Sequence, residues 1–398
     1  GLSRIISLAE PQEAGFGRWQ IWEGALHMLE RVPWYGDGVG TFWLTYPAYR
    51  VFDDTAGGQN PHNDYLQYLI EAGIPGLALL LSLVLFLSYQ WWQHSHNKHV
   101  SNRHVSNSNK IEATGIYAGI AAVGLHAFFT HNFGVFSILF LIGILLARFI
   151  DIQGDTKTIT LSNCLPLRQS IFSFSIFTIG ILLSLYLVSA TLYSIAHNIS
   201  VKALNNGDAG KAEQYLTWSQ RIFNHDDRAL FLYALIHERI LNEVNDIKPE
   251  RRAELYRNAL ILLKGAEKIN PLRPNIAFIR AQLIHNNPEL SGHSWRLLAV
   301  KNYQHSIAID PRFIPGRKAY AELLVENNQL NEATKLLRTG IKYFNPPTME
   351  TLNFYLYALE LFKKAGDTNG IKKTTQLRDD LIESLGHRGI KVTLNQEK

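Results

Sequence analysis

Three stretches of the chain, residues 73–92, 115–150 and 171–192, run almost without charge, and beyond residue 199 apolar residues recur at helical spacing among polar ones. Residues 73–92 are twenty positions with no charged side chain. At roughly 1.5 Å per residue they make about 30 Å of helix, the depth of a bilayer core. Pro75 suits the first helical turn, where its missing N–H costs nothing, and Trp91 and Trp92 suit a membrane–water interface. With the residues just before it, this predicts a spanning helix over 67–92. Residues 171–192 predict a second. The stretch 115–150 would be roughly 54 Å as one helix, too long for a single crossing. Thr130-His131-Asn132-Phe133-Gly134 breaks it and predicts helices over 115–130 and 135–150. These either cross twice or enter and return as a re-entrant pair.

From 199 to 398 the pattern is one of repeats. Phe223-Asn224, Ile269-Asn270-Pro271, Ile309-Asp310-Pro311 and Phe344-Asn345-Pro346 recur, each ending one helix and opening another. Between them, Ala319 to Leu337 places small and large apolar residues around an Asn327-Asn328 turn, which resembles the tetratricopeptide helix hairpin. The fold class predicted is all-α, a polytopic transmembrane helix bundle followed by a soluble, tetratricopeptide-like repeat domain. Its parts are a polar loop over 1–66, a membrane region over 67–195 and the repeats over 199–398.

Composition sharpens this division. The mean hydropathy of −0.06 averages an oily block with a charged one, since residues 199–398 carry 29 basic and 22 acidic side chains. Cys164 is the one cysteine, so an internal disulfide and a thiolate metal cage are excluded. The chain opens on Gly1 with no basic segment followed by an apolar run, so it reads as the C-terminal portion of a longer membrane protein. Lys98, Arg103 and Lys110 lie in one connection and Arg148, Lys157 and Arg168 in another, whereas loop 1–66 has four Arg, no Lys and eight acidic residues. Short cytoplasmic loops are enriched in Lys and Arg. That asymmetry puts loop 1–66 and the repeats together on the non-cytoplasmic face.

The chemistry concentrates in the polar loop. Gln59-Asn60-Pro61-His62-Asn63-Asp64-Tyr65-Leu66-Gln67 leads through Glu71-Ala72-Gly73-Ile74-Pro75-Gly76 straight into the first span. Upstream lie Arg18-Trp19-Gln20-Ile21-Trp22 and Pro33-Trp34-Tyr35-Gly36-Asp37-Gly38-Val39-Gly40. The glycines lack the Gly-Lys-Ser/Thr ending of a nucleotide loop and read as a tight turn. No Asp-x-Asp occurs, so a metal-dependent sugar-nucleotide site has no sequence support. His94, His96, His99 and His104 sit in a Ser/Asn/His-rich loop and read as solvated residues.

In order and spacing these motifs resemble the O-antigen ligase and polymerase-like family of bacterial membrane glycosyltransferases, over about residues 15–150. The resemblance implies an inner-membrane, multi-pass enzyme that works on the periplasmic face without metal or cofactor and inverts the sugar. Its donor would be a polyprenyl diphosphate-linked glycan. Its acceptor would be a hydroxyl of lipid A core, of a growing glycan or of a protein. The implied catalytic residues are His62, a base with a pKa near neutrality, and Arg18, whose fork fits diphosphate oxygens. Each has a plain alternative: His62 as a loop residue ahead of a helix, Arg18 as a charge on an amphipathic helix over 18–32 whose Trp19, Trp22, Leu26 and Leu29 rest on membrane or neighbouring spans. Arg31, Arg50, Asn63, His126 and His131 are candidate substrate-binding residues, with Asn63 and Asp64 also suited to capping the following helix. Membrane lipids and a protein partner on residues 199–398 are the further partners expected, and nucleic acid is not. The rival reading is a membrane-anchored tetratricopeptide scaffold for envelope polysaccharide assembly, without catalysis of its own.

Overall fold

The computed structural model describes residues 11–54, 58–96, 107–153, 166–222, 226–244, 246–343, 345–387 and 390. Cys164, His99, His104, Phe223, Asn224 and Phe344 lie outside them. Among the described residues the regular structure is entirely helical. The chain divides into two compact units, Gly1–Ile159 and Thr160–Lys398.

In the first unit, α1 (Pro11–Leu29) is followed by short helical turns at Phe42–Thr45 and Tyr46–Tyr49, then α2 (Asp64–Glu71), α3 (Gly73–His96), α4 (Asn107–His126) and α5 (Phe136–Gln153). Ile21, Ala25 and Met28 recur on one side of α1 and are fully buried against Phe42, Tyr46 and Ile70. Opposite them Trp19 and Leu26 remain exposed, whereas Trp22 and Leu29 pack on this core. The amphipathic reading of α1 thus divides: two of its four large apolar residues serve the fold.

The helix read over 67–92 is interrupted at its start. Gly73 has φ +67°, and α2 ends where α3 begins. The cause is a close backbone crossing. Gly38 N–H donates to the Glu71 carbonyl at 2.9 Å, Asp37 N–H to the Ile70 carbonyl at 2.9 Å, and Ile74 N–H to the Trp34 carbonyl at 2.8 Å. A Cβ on Gly36 would lie 2.4 Å from the Glu71 carbonyl oxygen, and one on Gly73 would lie 2.3 Å from that of Trp34. Two glycines let two backbones meet where side chains would hold them apart.

α3, α4 and α5 pack through Trp91 stacked on Tyr117 at 4.7 Å and through Leu87, Ala113, Phe149 and Ile152. Arg148 forks onto Glu112 at 2.7 and 3.0 Å and reaches Asp151 at 2.7 Å. α4 and α5 are separated by a turn at the Thr130-to-Gly134 break. Two helical segments among the described residues are long and apolar enough to cross a membrane, Gly73–Gln93 and Phe177–Asn205. Their large apolar side chains, such as Leu79, Leu85, Leu182 and Leu185, are exposed, a surface that suits lipid and not water.

The second unit opens with α6 (Pro166–Asn205), whose apolar length continues into the repeats without a break. Helices then pair in succession: α6 with α7 (Ala209–Ile222), α8 (Asp227–Glu243) with α9 (Pro249–Ile269), α10 (Pro274–Asn286) with α11 (Trp295–Ile309), α12 (Ile314–Glu326) with α13 (Leu330–Gly340), and α14 (Met349–Lys364) with α15 (Thr368–His387). Three hairpins close in the same way. Gly207, Asn328 and Gly366 take positive φ, and the next N–H donates five residues back, Asp208 to Ala203, Gln329 to Leu324 and Asp367 to Phe362. That is the bond that ends a helix in a left-handed residue. Between hairpins, Asn270 and Asp310 accept the N–H two residues on. The recurrent Asn or Asp is therefore a turn-forming residue. The first unit depends on its glycine crossing: Gly73→Ala should destabilise it by roughly 2–4 kcal/mol, from the positive φ and the overpacking together, seen as a lower unfolding temperature of the detergent-solubilised protein.

Candidate functional site

Arg18 and Trp22 are four residues apart on α1, so they share a face. Trp22 Nε1–H donates to the Pro61 carbonyl at 2.7 Å, which ties α1 to the loop immediately before His62. His62 has φ +52°, a left-handed backbone that costs a non-glycine residue roughly 1–2 kcal/mol. Its N–H faces Asn60 Oδ1 at 3.3 Å, and the residue is exposed. Such strain is retained where surrounding contacts over-determine it, often at functional positions. Burial of part of the ring, then the Arg18 guanidinium, then His131 hold the His62 imidazole below its ordinary 6.5. Arg18 and His131, far apart in sequence, therefore both act on His62.

The short helix α2 carries the framework. Asn63 caps it, Oδ1 accepting Leu66 N–H at 3.0 Å. Asp64 is buried, with one oxygen accepting Asn132 N–H at 2.8 Å and Phe133 N–H at 3.0 Å and the other 3.0 Å from His131 Nδ1. Asp64 N–H donates to the Ala127 carbonyl at 2.8 Å, and Tyr65 Oη–H to that of Gly124 at 2.9 Å. Tyr65 also stacks on Phe128 at 4.2 Å. At the other end, Glu71 accepts Gly40 N–H at 2.8 Å and Phe42 N–H at 3.1 Å, with Gln67 Nε2 at 3.1 Å.

The other candidates divide. His131 lies in this cluster. His126 ends α4, its Nδ1 3.1 Å from Thr130 Oγ1 and 3.1 Å from Asn132 Nδ2, so it braces the turn that carries His131. Asn63 acts as the cap that its position allows. Arg50 is engaged within its own loop, paired with buried Asp54 at 3.3 Å and lying over the Tyr46 ring at 5.3 Å. Tyr46 Oη–H donates to the same carboxylate at 2.9 Å. Arg31 is exposed beyond the far end of α1, at least about 16 Å along the helix from Arg18.

Asp64 and Glu71 were not singled out for this clamping role by sequence. Both are acidic residues at the ends of an eight-residue helix, and only their burial distinguishes them from surface charges. Trp22, read as resting on membrane or neighbouring spans, lies beside Phe129 with ring centroids 6.4 Å apart and also donates to a loop carbonyl. Trp22→Phe keeps the ring but loses that donor, so amide hydrogen exchange across residues 58–63 should accelerate several-fold while α1 stays protected; an unchanged pattern would show that the bond does not hold the loop.

Residues 2–81 match the family model described as O-Antigen ligase. Two crystal structures of MamA are similar to part of the chain. One has a TM-score of 0.34 at 12% identity, covering 52% of this chain and 100% of that chain. The other has a TM-score of 0.33 at 12% identity, covering 48% and 96%. No curated protein matches the chain.

Proposed function

We propose that the chain passes a glycan from a polyprenyl diphosphate carrier to an acceptor hydroxyl at the periplasmic face of the bacterial inner membrane; what supports this is the match of residues 2–81 to the O-antigen ligase family model, a membrane-associated family that transfers glycans. The acceptor classes are lipid A core, a growing glycan or a protein hydroxyl. The observation that carries the reading is the strained, exposed His62, placed by the bond from Trp22 to the Pro61 carbonyl on the same α1 face that carries Arg18.

The diphosphate is already a good leaving group. What remains is to take the acceptor proton and to hold the departing anion. In this reading His62, neutral because burial and the neighbouring Arg18 charge oppose its charging, accepts the hydroxyl proton as the oxygen bonds to the anomeric carbon. The bond from that carbon to the diphosphate oxygen breaks on the opposite side, which inverts the centre. Arg18 presents its fork to the diphosphate, where lysine would offer only a point charge. The repeats over 199–398 serve recognition or assembly on the same face, since stacked hairpins present an extended binding surface.

His62→Ala should lower transfer by ~10²–10⁴-fold at unchanged protein level, and a variant that keeps more than about a tenth of the activity would reduce His62 to a loop residue. Arg18→Lys should weaken donor use, and Arg18→Ala should weaken it further, measured by transfer from undecaprenyl diphosphate-linked oligosaccharide in vesicles. The pH profile gives a separate check. A base held below 6.5 stays neutral at pH 6.5, so the acid limb should have its midpoint below that value. Arg18→Gln removes one opposing charge and should shift the midpoint upward. Chelator should leave the purified enzyme's rate unchanged.

A further inference from the structure

The apolar run of α6 and the first repeat belong to one unbroken helix, Pro166–Asn205. Phe174, Leu185, Leu192 and Ile195 all expose large apolar side chains along it. From Phe174 to Ile195 the rise is about 33 Å, close to the depth of a bilayer core. Tyr193, at 4% exposed, is the first buried residue along this run among those described, and from there the helix packs on α7 and α8 through Ala203 and Leu204. No connecting loop separates the two parts. The repeats therefore begin at the level where the apolar run ends.

The ends of the next helices lie level with Tyr193. α7 runs back along α6 from the turn at Gly207, so residues counted equally from that turn stand at one height, Trp218 with Ala196 and Arg221 with Tyr193. Arg228, in the first turn of α8, lies over the Tyr193 ring at 5.5 Å and holds Asp226 at 2.6 Å. Arg273, just ahead of α10, holds Asp227 at 2.8 Å, and the Asn270 amide after α9 reaches the same carboxylate at 3.5 Å. Through these contacts the ends of α7 and α9 and the starts of α8 and α10 form one edge of the repeat domain. The turn at Gly207 is about 21 Å away along the helix.

That edge is cationic. Arg221, Arg228, Lys268 and Arg273 stand against Asp226 and Asp227, and an arginine already holds each of those acids. Glu267 is taken by Arg280 at 2.8 Å. Arg221 and Lys268 are exposed. Between the cations, Trp218 is 43% exposed and Ile269 41%. Basic side chains with an indole and an aliphatic tip, at the end of an apolar run, suit the membrane–water boundary. We propose that this edge docks on anionic phospholipid headgroups of the bilayer that α6 crosses, with Arg221 and Lys268 meeting lipid phosphates while Trp218 and Ile269 enter the boundary with the acyl chains. The proposal requires α6 to cross the membrane and is independent of the glycan-transfer reading.

Nitroxide labels read the depth of each part in the full chain. In a Cys164→Ser background, single labels enter through Ile269→Cys at the edge, Asn206→Cys at the opposite turn and Leu185→Cys in the apolar run, in nanodiscs of phosphatidylcholine with or without phosphatidylglycerol. With phosphatidylglycerol, the label at 269 should be shielded from an aqueous nickel complex several-fold more than the label at 206. Arg221→Gln with Lys268→Gln should lower the docked-to-free ratio roughly 25-fold, about fivefold for each charge. High salt should act in the same direction. A label at 269 as open to nickel as that at 206 overturns the proposal. Equal shielding at 269 without phosphatidylglycerol also overturns it, because the edge would then lie near the bilayer by its place on α6 and recognise no charge. A label at 185 in water overturns the crossing of α6 and the docking with it. The His62→Ala transfer assay tests the glycan-transfer reading separately from all of these outcomes.

Discussion

A buried carboxylate must be surrounded by donors, and α2 has one at each end. Asp64, at its first turn, gathers two backbone N–H groups and an imidazole from the turn after α4. Glu71, at its last, gathers two backbone N–H groups from the glycine turn after α1. An eight-residue helix is too short to be stable alone. Here its ends fasten segments that lie some 30 residues before it and some 60 after it, and its Ile70 enters the core beneath α1. Removing either carboxylate would leave several N–H groups without partners, at roughly 1–3 kcal/mol each. The geometry around His62 is therefore set less by the side chains proposed to react than by the two acids behind them.

The glycine crossing acts with this clamp. Once Gly36 and Gly73 allow the backbones to touch, Trp34 is bonded to the first turn of α3, so the loop is held to the start of an apolar helix. Trp22 adds the third tie, to Pro61. His62 sits between Trp22's bond and the Asn63 cap, and that is why it can be kept in a left-handed conformation while remaining exposed.

The motif order exposed this region in the sequence because the glycines, the Arg-x-x-x-Trp spacing and His62 are local features, each readable within a few residues. The repeats were legible for the same reason: Asn270 and Asp310 make their turns with the second residue onward. Long-range pairings were not legible. Nothing near Asp64 announces a histidine 67 positions away, and even the local pair of Arg50 and Asp54 lies outside any helix, where a spacing of four gives no warning of contact. The helix boundary at Gly73 also escaped, since apolar residues lie on both sides of it and the interruption comes from a backbone contact with Gly36. Hydropathy reports what surrounds a segment and is silent about what crosses it.

Electrostatics raises a difficulty for any diphosphate site built beside a buried acid, because an unshielded carboxylate would repel the donor. Asp64 escapes it through its partners. Two N–H dipoles and an imidazole N–H point at its oxygens, so much of its field ends within the cluster, at distances of 2.8–3.0 Å. The Gly40 and Phe42 N–H groups point at the Glu71 oxygens in the same manner. Arg50 is drawn inward by Asp54 and so contributes little positive field outward. Arg18, with no such acid against it among the described contacts, is then the guanidinium beside His62 whose charge reaches outward. After burial of the ring, the same positive charge that would attract a diphosphate also lowers the His62 pKa, so in the proposed mechanism a single arginine would serve both donor binding and the readiness of the base.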